Sequence, residues 1–138
     1  MNVQGIYLFQ LTTNSPMYTR ECIQSNHYYE TIQINVIEDG YYRFGSINDS
    51  IYTYGDIYEN KFNPFDPHMN QINKNIWGTC RFGFEPPPAT YLRKQMTYIL
   101  VVTTDRPRAT GSFSIIVFGP NNVTLKHSGE YTTLKLIK

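Results

Sequence analysis

The strongest strand signal in the chain is the stretch Met96–Thr104, which reads MTYILVVTT. Most of its residues are β-branched or aromatic, and such side chains suit a pleated strand. Its apolar residues fall at odd and even positions alike, so both faces of the strand carry side chains that avoid water. We therefore predict that residues 96–104 form a central strand of a sheet.

Shorter alternating runs surround this stretch, and turn residues separate them. They cover residues 3–11, 30–38, 41–47, 51–59, 77–84, 112–118, 123–127 and 131–137. No window of ten or more residues combines helical periodicity with good helix-forming residues. Eight or nine strands at this spacing predict an all-β fold, a two-sheet antiparallel sandwich of jelly-roll type. We expect it to form a single domain over residues 1–138.

Three connections carry their own expectations. Asp39-Gly40 tolerates positive φ at both positions and so favours a tight hairpin between the strands on either side. Residues 112–118 are predicted to return as the hairpin partner of residues 96–104. Residues 60–75 contain Asn63-Pro64 and Asp66-Pro67, which initiate turns, and they are predicted to form a long loop.

The composition agrees with sheet structure and narrows the function. Twelve tyrosines and eight phenylalanines accompany only two alanines, which favours strands over helices. Charged residues make up 17% of the chain and the formal net charge is +1, so nothing electrostatic predicts a nucleic-acid partner. No stretch approaches the ~20 apolar residues of a membrane helix, so no membrane span is predicted.

The chain has two cysteines, Cys22 and Cys80, and two sequons, at Asn48 and Asn122. A disulfide between the cysteines would close a loop of about 58 residues and stabilise the fold by roughly 4 kcal/mol. Two buried free thiols are the alternative. Each sequon lies near a predicted turn, where glycosylation could occur. Together these features predict an extracellular glycoprotein with one disulfide.

Motifs that would predict catalysis are missing from the sequence. His27, His68 and His127 are far apart and show no metal-ligand spacing, so no zinc site is predicted. There is no nucleophile elbow and no phosphate-binding glycine loop. We therefore expect a protein that is not an enzyme and that needs no cofactor.

Two groups of residues could bind a ligand. Asp49, Asp56, Glu59 and Asp66 lie close in sequence and could gather around calcium, although they could equally be solvated acids on turns. Tyr52, Tyr54 and Tyr58 alternate along one predicted strand and could stack on a sugar. The second interpretation competes with a simpler one, in which the three tyrosines form the core face of that strand.

Several motifs, taken in order, resemble a known type of secreted domain. They are residues 28–36 (YYETIQINV), 40–44 (GYYRF), 50–58 (SIYTYGDIY), 62–64 (FNP), 97–104 (TYILVVTT), 111–115 (GSFSI) and 119–120 (GP). This order resembles the β-sandwich repeats of large secreted or cell-surface proteins from bdelloid rotifers. More distantly, it is similar to the bacterial pre-peptidase C-terminal domain. The resemblance covers roughly residues 20–125.

The resemblance implies an extracellular, non-catalytic sandwich associated with adhesion, and some members of such families bind calcium or carbohydrate. It also implies paired cysteines near positions 22 and 80. Many relatives carry an acidic run after the long loop, whereas residues 73–78 of this chain read NKNIWG. That departure weakens the expectation of calcium binding.

The resemblance leaves two β-prone segments unassigned, residues 3–11 and residues 131–137. Either segment could complete a sheet of a neighbouring copy, as in donor-strand complementation. The first hypothesis is therefore an extracellular structural protomer that assembles with copies of itself into a filament or matrix and carries glycans. The alternative is a monomeric adhesive module that binds carbohydrate or calcium.

Overall fold

The computed structural model of the protein describes residues 3–19, 26–47, 51–67, 69–77, 89–104 and 106–127. These residues contain strands and no helix. The strands are β1 (Val3–Leu11), β2 (Met17–Thr19), β3 (Asn26–Val36), β4 (Gly40–Ile47), β5 (Thr53–Glu59), β6 (Gln71–Trp77), β7 (Thr90–Leu92), β8 (Tyr98–Thr104), β9 (Gly111–Gly119) and β10 (Val123–His127). The predicted all-β class is thus confirmed.

The strands form two antiparallel sheets that pack together as a sandwich. The four-stranded sheet has the order β1-β9-β4-β7, and the six-stranded sheet has the order β10-β3-β8-β5-β6. The sixth strand, β2, pairs with residues 26–28 at the start of β3. β10 pairs with residues 32–36, further along the same edge of β3. Two of the ten described strands, β2 and β7, are only three residues long, and neither was predicted from the sequence.

β8 confirms the prediction made from residues 96–104. It lies between β3 and β5, and all seven of its residues are buried. Leu100 and Val102 face the core between the sheets, whereas Ile99 and Val101 belong to a second cluster on the other face. A strand covered on both faces explains why its apolar residues do not alternate.

The core between the sheets is made of aromatic and aliphatic side chains from both layers. Its members that are no more than 1% exposed are Leu11, Ile32, Ile34, Tyr42, Phe44, Ile57, Leu92, Leu100, Val102, Phe113 and Ile115. Burying residues of this size against one another is the main favourable term in folding. The core therefore fixes how the two sheets sit and which strands lie at their edges.

The two predicted hairpins are wrong. β3 and β4 flank Asp39, but β3 belongs to the six-stranded sheet and β4 to the four-stranded sheet. β8 and β9 are likewise in different sheets. Both connections therefore cross between the layers. Gly40 is needed for close approach, because a Cβ there would come within 2.7 Å of Cγ of Pro120.

The predicted loop over residues 60–75 is shorter than expected, because β6 begins at Gln71. The part before β6 is ordered by a turn in which the Asp66 amide donates to the carbonyl of Asn63. Phe62 from this loop packs against the second cluster, which covers the outer side of the six-stranded sheet. Residues 78–84 of the predicted strand 77–84, and the predicted strand 131–137, lie outside the described residues.

Candidate assembly surface

β1 is an integral strand of its own domain. It pairs with β9 over nine consecutive residues, from Val3 opposite Gly119 to Leu11 opposite Gly111, without a register shift. The hydroxyl of Tyr7 donates to the carbonyl of Val123 at 2.5 Å, which ties β1 to the opposite sheet. Leu11 is 1% exposed in the core. In this arrangement β1 completes the sheet of its own chain.

The other edge of β1 has no strand beside it in the described structure, because β1 ends the sheet order β1-β9-β4-β7. Along a strand edge, about every second residue directs its amide and carbonyl away from the existing partner. Unpaired edge groups of this kind form a template for another strand. The sequence of β1, VQGIYLFQL, contains no charged residue and no proline that would discourage such pairing.

The remaining edges in the described part of the chain are better protected. β2 and β7 are each three residues long. β6 carries a lysine in its sequence and pairs with β5 through register shifts, which twist an edge away from a partner. β10 is five residues long and ends in Lys126 and His127. Length, regularity and lack of charge therefore single out β1 as the edge best suited to pairing with another strand.

The outer face of the four-stranded sheet adds an apolar surface beside this edge. Ile6 is 59% exposed and lies opposite Ile116 of β9, while Leu8 is 73% exposed. Phe118, further along β9, is 36% exposed. An antiparallel sheet with one free face normally presents polar side chains there. We call Ile6, Leu8, Ile116 and Phe118 the apolar face.

Two exposed tyrosines lie at the far end of the same sheet. Tyr41 of β4 and Tyr91 of β7 are opposite each other, and their rings meet edge to face with centroids 5.1 Å apart. They are 66% and 45% exposed. Arg43, opposite Phe118, is a charged residue on this side of β4. The outer side of the sheet thus changes from aliphatic at β1 to aromatic at β7.

Neither the apolar face nor the pair formed by Tyr41 and Tyr91 was predicted from the sequence. A usable signal was present, because residues 6–9 and residues 115–118 are uninterrupted apolar runs. In a half-exposed strand, a run of this kind places apolar side chains on both faces. These parts of β1 and β9 therefore lack the alternation of apolar and polar residues that is expected of a strand with one solvent-exposed face.

The structure separates the three tyrosines proposed for sugar stacking. Tyr52 precedes β5 and is 74% exposed, and Tyr54 is half-buried. Tyr58 is 1% exposed within the second cluster, and its hydroxyl donates to the carbonyl of Pro67 at 2.6 Å. A buried ring cannot offer its face to a sugar, so the three tyrosines do not form one exposed platform.

The other predicted sites are only partly within the described residues. Cys22, Cys80, Asn48, Asp49 and His68 lie outside them. Asn122 is exposed in the turn before β10. Its glycosylation stays a prediction. In the described ranges, no group of three histidine, cysteine, aspartate or glutamate side chains is placed to hold a metal ion.

The two described histidines have different surroundings. His27 is buried in β3, where it lies opposite Tyr18. His127 is the last residue of β10, and its Nε2 lies 2.7 Å from Oε1 of Glu30. Glu30 is 8% exposed, so this contact gives a buried carboxylate a polar partner, while the His127 side chain is 52% exposed. The contact fixes the end of β10 against β3.

The described residues include no helix with the length and apolar character needed to cross a membrane. The fold and its edges place the chain in the class of two-sheet antiparallel sandwiches. Comparison with protein-family models, curated proteins and solved structures found no match. The resemblance to rotifer and bacterial sandwich domains therefore stays a prediction.

Proposed function

We propose that the protein is a non-catalytic extracellular structural protomer that assembles with copies of itself into a filament or matrix through β-strand pairing. The observation that supports this most is β1, a nine-residue uncharged edge strand that pairs with β9 on one side and has no strand on its other side among the described residues. Native sandwiches normally protect such edges. Keeping a long uncharged edge is useful in a protein whose task is to add further strands.

The apolar face supports the same proposal. Ile6 and Leu8 lie beside the open edge of β1, so a strand added there would cover apolar side chains as well as backbone groups. At roughly 25 cal/mol for each Å² of apolar area buried, covering such residues favours association. The apolar face would otherwise be an aggregation hazard for a secreted monomer.

A filament needs each protomer to make two contacts. A contact that uses the same surface on both copies closes on itself, so growth requires a second and different contact. Residues 131–137, which lie outside the described residues, are the second terminal segment predicted to be β-prone. We assign the first contact to the edge of β1 and the second to this terminal segment. Predicted glycans at Asn48 and Asn122 and a disulfide between Cys22 and Cys80 would suit an extracellular fibre.

A matched pair of lysine substitutions tests the role of the edge. Leu8→Lys adds a charge beside the open edge, and because Leu8 is 73% exposed the monomer should lose at most about 0.5 kcal/mol. Ile37→Lys makes a similar change at a position that is 66% exposed between β3 and β4. We expect fibres from the wild type and from Ile37→Lys in electron micrographs, and none from Leu8→Lys. Equal assembly of all three proteins would contradict the proposal.

A second candidate function is carbohydrate binding by a monomer, and it is supported by exposed aromatic side chains. Tyr41 and Tyr91 form an exposed pair, and Tyr52 is 74% exposed. Aromatic faces of this kind stack well on apolar patches of other molecules. A glycan array probed with the folded protein tests this alternative. Binding that Tyr41→Ala and Tyr91→Ala both abolish would favour it, and an array without hits would count against it.

A further inference from the structure

We propose that the open edge of β1 pairs with β1 of a second copy, antiparallel about a two-fold axis, so that two four-stranded sheets become one continuous sheet. This inference rests on the proposed function and names the partner at its first contact. The occupant follows from the chemistry of the edge, since outward-facing amides and carbonyls are satisfied by an extended strand.

The choice of β1 as its own partner follows from length and charge. Full pairing along nine residues requires a partner strand of similar length, and β2, β7 and β10 have three, three and five residues. Two copies of β1 bring no like charges into opposition, because the strand is uncharged. β3 and β9 are long enough, but each already has neighbours on both sides. The edge strand β6 has seven residues, carries a lysine and pairs with β5 through register shifts, so it offers a shorter and less regular edge than β1.

The geometry of the strand also sets the expected register. Complete overlap of two antiparallel copies of residues 3–11 places Tyr7 opposite Tyr7 of the second copy. Ile6 then lies opposite Leu8 of the second copy, and both are on the outer side of the sheet, because antiparallel pairing keeps opposite residues on one face. The apolar faces of the two copies would join across the axis.

The same register suits the inner side. Phe9 then lies opposite Gly5 of the second copy, so the larger ring meets the smallest residue. In the single chain, Tyr7 already folds over Gly5, because a Cβ at Gly5 would come within 2.8 Å of the Tyr7 hydroxyl oxygen. Gly5 thus accommodates the Tyr7 ring of its own chain, and it places no side chain of its own opposite Phe9 of the second copy.

A charge-swap experiment tests both the contact and its register. Leu8→Lys alone and Ile6→Glu alone should each lose the contact at β1, because each leaves a charge opposite an apolar side chain across the two-fold axis. Any association that remains then comes from the second contact. Mixed in equal amounts, the two 138-residue variants should regain the β1 contact between unlike copies, since the introduced lysine and glutamate become opposite each other. Sedimentation velocity measures the mass of each sample. We expect at least a tenfold tighter association in the mixture than in either variant alone.

A control variant tests the register. Gln10→Glu mixed with Leu8→Lys should not restore association, because position 10 lies opposite position 4 of the second copy. Equal rescue by Gln10→Glu would overturn the register, and no rescue by Ile6→Glu would overturn the pairing of β1 with β1. Whether the wild type assembles distinguishes a failure of this inference from a failure of the proposed function. Fibres without charge-swap rescue would leave the proposed function standing and refute this inference, whereas a wild type that never associates would refute both.

Discussion

At the scale of single residues, Tyr7 connects the edge strand to the rest of the sandwich. Its hydroxyl donates to the carbonyl of Val123 at the start of β10, and its ring lies over Gly5. This contact joins β1 to the opposite sheet, in addition to the pairing of β1 with β9 and the burial of Leu11 in the core. The side chain therefore helps to keep the edge in a fixed position for a partner.

Removing this hydroxyl should weaken the domain. For Tyr7→Phe, we expect the free energy of unfolding to fall by about 1 kcal/mol, because a part-buried carbonyl loses its donor. Urea denaturation followed by tyrosine fluorescence measures the change. Tyr52→Phe is the matched control, since Tyr52 is 74% exposed and should change stability by less than about 0.5 kcal/mol. Equal effects of the two substitutions would show that the contact contributes nothing.

Tyr42 gives a prediction about pH. Burial, with smaller contributions from the carboxylates of Glu38 and Asp39, raises the pKa of Tyr42 above its ordinary value of 10.0. The unfolded chain therefore releases this proton at lower pH than the folded chain does. The stabilising contribution is complete below about pH 10 and is lost as the pH rises through the folded pKa.

The measurement is the free energy of unfolding between pH 9 and pH 11, compared for the wild type and Tyr42→Phe. We expect a steeper alkaline loss in the wild type, because the variant has no proton to release at this position. Tyr41→Phe serves as control, since Tyr41 is the neighbouring tyrosine and is 66% exposed. Identical pH dependence of the wild type and Tyr42→Phe would contradict this account.

At the scale of elements, the loop between β5 and β6 shows how similar residues can differ in role. Phe62 has ring centroids 5.3 Å from Tyr18, 5.2 Å from Tyr29 and 4.8 Å from Tyr58. Phe65, three positions later, is 95% exposed. The sequence shows two phenylalanines in one proline-rich loop and does not distinguish them, because the cluster that receives Phe62 is assembled from distant strands.

An alanine substitution at each position separates the two roles. Phe62→Ala should lower the free energy of unfolding by about 2–4 kcal/mol, because it removes a ring that packs against three tyrosines. Phe65→Ala removes the same atoms from an exposed position and should change stability by less than about 0.5 kcal/mol. Thermal unfolding followed by circular dichroism measures both. A larger loss for Phe65→Ala than for Phe62→Ala would show that the loop packs differently.

Strand positions were largely predictable from the sequence, whereas strand partners were not. Residues 3–11 and 123–127 were predicted with the bounds that β1 and β10 have in the structure. Local periodicity carries that information. The turn at Asp39-Gly40 favours a hairpin locally, but β3 and β4 each have an apolar face that can be buried only between the sheets. Burial of these two faces between the sheets therefore outweighs the local preference of Asp39-Gly40 for a hairpin.

At the scale of the whole molecule, the order of the strands explains why only part of the candidate assembly surface could be predicted from the sequence. The sequence indicated that residues 3–11 form a terminal strand with a role in pairing. It did not indicate that this strand stays within its own sheet and leaves one edge open, because that depends on the order β1-β9-β4-β7. The apolar face depends on the same order, since it joins residues more than 100 positions apart in the sequence.

The central claim is that this domain associates through strand pairing at β1, and the most direct test is the particle mass of the 138-residue chain. Multi-angle light scattering over a hundredfold range of concentration measures it. We expect a mass that rises with concentration beyond twice 16.1 kDa and continues to grow. Leu8→Lys should hold the mass at no more than that of a dimer, because only the second contact remains. A constant mass of one protomer, 16.1 kDa plus any glycan, at every concentration would contradict the account.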